Sequence, residues 1–99
     1  MKISDITSRQ AVFDAVAEFE ALGRDRFLNY HGYNIARNYY LKINNNYYDS
    51  KAIVGVAYGK QFPKHGPLRS SDFSGGMNTV KKKLEELDFI VELRQKIPL

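Results

Sequence analysis

The run Tyr39-Tyr40-Leu41-Lys42-Ile43, Asn44-Asn45-Asn46, Tyr47-Tyr48 constrains the fold of this chain more than any other segment. Aromatic and branched side chains favour a pleated strand, and asparagine tolerates the positive φ that a tight turn demands, so the run reads as a β-hairpin. Two strands alone are marginal in water. Phe89-Ile90-Val91-Glu92-Leu93 reads as a closing strand and is expected to join the hairpin as its third member.

The remaining apolar pattern is helical. Thr7 or Ser8 can cap a helix over residues 8–22, in which Val12, Phe13, Val16, Phe19 and Leu22 recur at three- and four-residue intervals before Gly23 stops it. Asp49 or Ser50 caps a second helix that buries Ala52, Ile53, Val56 and Ala57 and ends near Gly59. Met77, Val80, Leu84 and Leu87 mark a third. Residues 24–37 have no clean period and read as an irregular connection that sends aromatics inward. Pro63, Gly66, Pro67, Gly75 and Gly76 make residues 60–76 a loop, with one turn near Ser71. The tail from Arg94 is expected to fray. The predicted fold class is therefore α+β: a small antiparallel sheet, hairpin plus C-terminal strand, with three helices packed on one face.

A length of 99 residues suits a single domain with one core. The absence of cysteine removes disulfides and thiolate zinc sites. No apolar run is long enough for a signal h-region or a membrane span, so a cytoplasmic location is expected and no membrane partner.

Charge is distributed unevenly. Residues 51–83 hold seven basic side chains (Lys51, Lys60, Lys64, Arg69, Lys81, Lys82, Lys83) against Asp72 alone, whereas residues 1–50 balance six against six. A local field of one sign is the footprint of a polyanion-binding surface, although a solvated surface would also carry it. Three features fit a phosphate backbone. Lys51 opens a helix, where the dipole does not favour a cation. Lys60, Lys64, His65 and Arg69 make a basic loop, to which Ser70, Ser71 and Ser74 add hydroxyl donors. Ser74-Gly75-Gly76 precedes a helix whose first amides can meet an anion, after which Lys81, Lys82 and Lys83 continue the charge. An outward tyrosine of the hairpin, Tyr48 among the candidates, could stack on an unpaired base.

Catalytic readings fail on inventory. His31 and His65 are the only histidines and have no cysteine partners or spaced His/Glu motif, so no metal site and no cofactor are expected. His31-Gly32-Tyr33-Asn34 lacks the convergent ligands of an HNH nuclease. Gly55-Val56-Ala57-Tyr58-Gly59-Lys60 has one residue too few between its glycines for a phosphate-binding P-loop, and lies inside a helix. No Ser-His-Asp arrangement can be assembled.

Tyr47-Tyr48-Asp49-Ser50-Lys51-Ala52-Ile53-Val54-Gly55-Val56-Ala57, Gly66-Pro67-Leu68, Asp72-Phe73-Ser74-Gly75-Gly76, Thr79-Val80 and Leu84-Glu85-Glu86-Leu87 together resemble the N-terminal head domain of McrA-like (ScoMcrA-like), modification-dependent HNH restriction endonucleases. The likeness spans residues 10–93 and centres on YDSKAI and DFSGG; where the family pattern has a glycine before the final Phe, this chain has Asp88. The resemblance implies a non-catalytic piece of a longer phage-defence nuclease that contacts double-stranded DNA, modified DNA included, with the nuclease and other domains of the same chain downstream. The rival reading is a docking domain within such a nuclease, in which the aromatic segment 27–40 meets a neighbouring domain.

Overall fold

A computed structural model describes residues 2–94. Its elements are α1 (Arg9–Leu22), α2 (Arg24–His31), β1 (Tyr39–Ile43), β2 (Asn46–Asp49), α3 (Ser50–Gln61), α4 (Lys82–Glu86) and β3 (Ile90–Leu93), with 3₁₀ turns at Ile3–Asp5 and Ser70–Asp72 and a π turn at Met77–Lys81. The sheet has the order β2-β1-β3 and is antiparallel throughout. The fold is α+β with a small open sheet, as expected, but among the described residues it contains four α-helices and not three.

The additional helix is α2, in the stretch read as irregular. Eight residues make little more than two turns, too short for a hydrophobic period to declare itself. Gly23, at φ 86°, closes α1 through its N–H to Phe19 O and leads straight into α2; Gly32 ends α2 in the left-handed conformation. Phe27 and Leu28 go into the core. Phe27 packs on Phe19 of α1 with ring centroids 5.0 Å apart.

The hairpin turn is built as its asparagines suggest, with Asn44 at φ 51° and Asn45 at φ 70°. Leu41 pairs with Tyr48 on one side and Val91 on the other, and this row is the buried face of the sheet. Alternation sends Lys42, which pairs with Tyr47 and Ile90, and Glu92, which pairs with Tyr40, to the opposite face. There Lys42 Nζ lies 3.1 Å from Glu92, and Arg94 donates to the Tyr47 hydroxyl at 2.6 Å.

The cap of α1 is Ser8, whose Oγ accepts from Ala11 N–H at 3.0 Å. The start of α3 differs from expectation. Asp49 does not cap it; the carboxylate turns away to Arg24 and to Ala36 N–H, while the Ser50 hydroxyl donates to Tyr39 O. The buried guanidinium of Arg24 is the stronger competitor for the charge. The third expected helix is split. In the π turn the Lys81 N–H reaches Gly76 O, five residues back, and Thr79 Oγ1 donates to Ser74 O at 2.6 Å. Val80 and Leu84 face inward, and the extra residue of the π turn takes Met77 off that face and leaves it exposed. α4 then ends with Phe89 N–H on Leu84 O and Asp88 at φ 65°, a position where glycine would be at ease and aspartate is tolerated. Of the tail expected to fray from Arg94, Arg94 itself is held, its N–H donating to Asn38 O and its guanidinium to the Tyr47 hydroxyl, and residues 95–99 lie outside those described.

Helix α3 is the hub. Gly55 and Gly59, four residues apart, share one face, and the 66–68 backbone lies directly on it: a Cβ on Gly59 would stand 2.4 Å from Pro67 N. Leu68 N–H donates to Gly55 O at 3.0 Å, and the buried Tyr33 hydroxyl donates to Leu68 O at 2.8 Å. The glycine pair that resembles a phosphate loop is a packing device. It brings the long loop onto the core.

Candidate functional site

At the junction of β2 and α3, Lys51 leaves the first turn of the helix and runs under the loop. Its Nζ donates to Ser70 O at 2.7 Å and to Ser70 Oγ at 3.3 Å, and stands 5.1 Å from the Phe73 ring centroid. Burial lowers its pKa from the ordinary lysine value. Among the described residues no carboxylate pairs with it. Gly75 presses on its stem, since an added Cβ would lie 3.0 Å from Lys51 Cδ. The Asp72-to-Gly76 turn therefore closes over Lys51 because Gly75 has no side chain.

The opposite wall is the segment between α2 and β1. Asp49 holds it. Its carboxylate takes Arg24 Nε at 2.9 Å and Nη2 at 2.8 Å, and accepts from Ala36 N–H at 2.8 Å. The Tyr40 hydroxyl donates to Ala36 O, and Arg94 N–H donates to Asn38 O. The backbone is thus pinned at Ala36 and Asn38.

Between these walls lies a cavity of about 320 Å³ whose lining includes Asn34, Arg37, Asn38, Lys51, Ser70, Gly75 and Gly76, and no aspartate or glutamate. Two basic residues, Lys51 and Arg37, are among its lining, and Asn34 and Arg37 also line an adjoining recess with Asp25. At an effective dielectric constant suited to such sites, a single anion 4 Å from one of the two basic groups would gain about 4 kcal/mol of Coulomb energy before its desolvation is counted. The arrangement can hold an anion with hydrogen-bonding edges.

Two further recesses, of about 470 and 220 Å³, are lined by neighbouring residues along the chain. His65 and Arg69 line one with Asp72. The Arg69 side chain is 84% exposed and lies 3.9 Å from Asp72 Oδ1, while His65 donates from Nδ1 to Gly66 O and sets its ring edge-on to Tyr58. Lys82 lines the other with Lys2, Asn78, Thr79 and Glu86. Arg69 adjoins Ser70, and Gly76 is followed closely by Asn78, so residues lining the three recesses follow one another along the chain from 65 to 82. Lys64 is exposed on the same loop.

Other candidates lie elsewhere or are otherwise engaged. Lys60, at the far end of α3, pairs with Glu18 at 2.8 Å, and Glu18 also meets His31. Nine residues of helix separate Lys60 from Lys51, about 13 Å along the axis. Lys81 pairs with Glu85. Lys83 is only 8% exposed and donates to Ser4 O and Ile6 O, holding the N-terminal turn. Ser74 is not the helix cap, a place taken by Gly76; the Ser74 hydroxyl accepts a long 3.4 Å bond from Gly76 N–H. Tyr48 belongs to the core. It is 4% exposed, sits edge-on to Phe19, and donates to Glu20 at 2.6 Å; burial, with the Glu20 bond adding, pushes its phenol up to about 12.

Sequence reasoning missed Asn34, Arg37 and Asn38. The tally that singled out residues 51–83 excluded Arg37, which belongs to the balanced first half. A usable signal was present in the dense polar spacing of these three residues immediately before a strand.

No helix among the described residues is long and apolar enough to cross a membrane. A search of curated proteins and a search of solved structures each return no match. Residues 4–93 match the family described as ScoMcrA-like, N-terminal head domain, and with nearly the whole chain covered, this protein belongs to that family.

Proposed function

We propose that this domain is a non-catalytic module of a cytoplasmic, modification-dependent restriction endonuclease, and that it contacts double-stranded DNA through the cavity and its two neighbouring recesses. The supporting observation is the acid-free cavity between Lys51 and Arg37, flanked along the chain by Arg69 and Lys82. Phosphate contacts dominate the affinity of such surfaces and release counterions as they form. In this reading the nuclease is carried by another part of the parent protein, and the head adds contact area on foreign DNA. The aromatics of the 27–40 segment favour this over docking through that segment: Phe27, Tyr33 and Tyr40 are buried, and Tyr30 alone among its large rings is widely exposed.

The test is a titration of the 99-residue chain with a fluorescent duplex at several salt concentrations, repeated with methylated, hydroxymethylated and phosphorothioated DNA. With Arg37, Lys51, Lys64, Arg69 and Lys82 engaged, log affinity against log salt should fall with a slope of about −4 to −5. Arg69→Ala and Lys82→Ala should each flatten it by about 1, and Lys60→Ala should leave it unchanged. A salt-independent affinity, or an equal effect of all three variants, would remove the reading.

A further inference from the structure

The cavity holds more than a phosphate needs. Ligand pockets begin at about 300 Å³, so a space of about 320 Å³ admits one small, flat molecule and excludes a stacked pair of bases. Its polar equipment is of two kinds. Lys51 and Arg37 supply positive charge. Asn34 and Asn38 supply side-chain amides, each able to donate and accept in one plane, as a base edge requires.

The backbone from Ala36 to Asn38 is tied down by Asp49, Tyr40 and Arg94, yet the side chains of Asn34, Arg37 and Asn38 make no hydrogen bond among the described residues. A fixed backbone carrying uncommitted donors and acceptors at the mouth of a recess is preorganised for a ligand. The lining contains no carboxylate that would repel one.

We infer that the cavity receives a single unstacked nucleotide, its phosphate on Lys51 and Arg37 and its base edge on Asn34 and Asn38. The inference rests on the nucleic-acid reading above and goes beyond it, because backbone contact alone needs no cavity and no amides. The same chemical unit could come from an extruded position in bound DNA or from a free mononucleotide, and the experiment separates the two.

Anisotropy titrations would compare a matched duplex with one carrying a single-nucleotide bulge, and NMR titration with dAMP and dCMP would follow the backbone amides of residues 34, 38 and 51. A bulge has already lost the pairing that extrusion must break, so it should bind at least tenfold tighter than the matched duplex. Asn34→Ala combined with Asn38→Ala should reduce that preference to within twofold without altering the salt slope, and both side chains are exposed, so the fold should persist; circular dichroism checks this. Equal, salt-dependent binding of bulged and matched duplexes overturns the inference and leaves the general DNA reading standing. A bulge preference that survives the double substitution also overturns it. If no duplex binds but a mononucleotide shifts those amides, and Arg37→Ala abolishes the shifts, the cavity stands as a mononucleotide site and the duplex reading falls.

Discussion

Replacing Asp49 by alanine should be the most damaging single change to the cavity wall. The carboxylate is 2% exposed and carries two guanidinium bonds from Arg24, itself 12% exposed, together with the Ala36 N–H. Removing one partner of a buried ion pair costs about 3–5 kcal/mol, because the survivor keeps its charge without compensation. An orphaned amide would add about 1–3 kcal/mol if it stayed buried, but Ala36 lies in an open segment that can relax toward water. The expected loss is about 4 kcal/mol. For a domain of this size that is roughly 16–30 °C in Tm. Urea unfolding followed by circular dichroism reads it, with Asp49→Asn as a milder control that keeps one acceptor. The Arg24→Met, Asp49→Leu double variant should recover to within about 1 kcal/mol of the parent, since apolar replacements of a buried pair are often close to neutral. A loss below about 1.5 kcal/mol for Asp49→Ala, or additive effects of Arg24→Ala and Asp49→Ala, would refute the pairing as described.

Two further outcomes are expected. Gly59→Ala should destabilise the domain by about 2 kcal/mol, because its Cβ would meet the Gly66 and Pro67 backbone and overpacking outweighs the helix-propensity gain of about 1 kcal/mol; thermal unfolding that shows a stabilised variant would contradict the close approach. Burial pushes the Glu18 carboxyl up, but hydrogen bonds from Lys60 and His31 and their charges more than reverse this, leaving its pKa below the ordinary 4.5. A lowered folded-state pKa gives stability that is present above the unfolded value and lost as pH falls through the folded one. Glu18→Gln should therefore flatten the decline in stability below about pH 4.5 and change little in shape above it, as urea midpoints across that range would record.

The elements that were legible in the sequence are those whose residues are held locally. Asn44 and Asn45 adopt the positive φ their type tolerates, Ser8 caps α1, and Gly23 ends it. What was not legible depends on distant partners. Asp49 looks like a cap until Arg24, 25 residues away, is placed beside it. Tyr47 and Tyr48 are equivalent as letters, and only the register with Leu41 and Val91 decides which ring is buried. The basic run has the same limitation: Lys60, Lys81 and Lys83 are taken by Glu18, Glu85 and two backbone carbonyls, contacts that counting charges along the chain cannot register.

The two motifs at the centre of the family likeness acquire a different meaning in three dimensions. In the first, four consecutive residues each hold a different segment: Tyr48 packs on α1, Asp49 fixes Arg24 and Ala36, Ser50 holds the Tyr39 carbonyl, and Lys51 holds Ser70. In the second, Asp72 accepts from Arg69 N–H, Phe73 lies beside Lys51, the Ser74 carbonyl accepts from Thr79, and Gly75 makes room for the lysine stem. Nearly every side chain in them is already engaged within the domain. They are the joints that build the cavity, and most of their side chains have little left to offer a ligand; Lys51, which lines the cavity and has three N–H donors, is the exception. On the proposed DNA reading, specificity should therefore be sought in the exposed side chains outside the joints, which here are Asn34, Arg37 and Asn38 on one wall and Lys64, Arg69 and Lys82 along the loop and helix that follow.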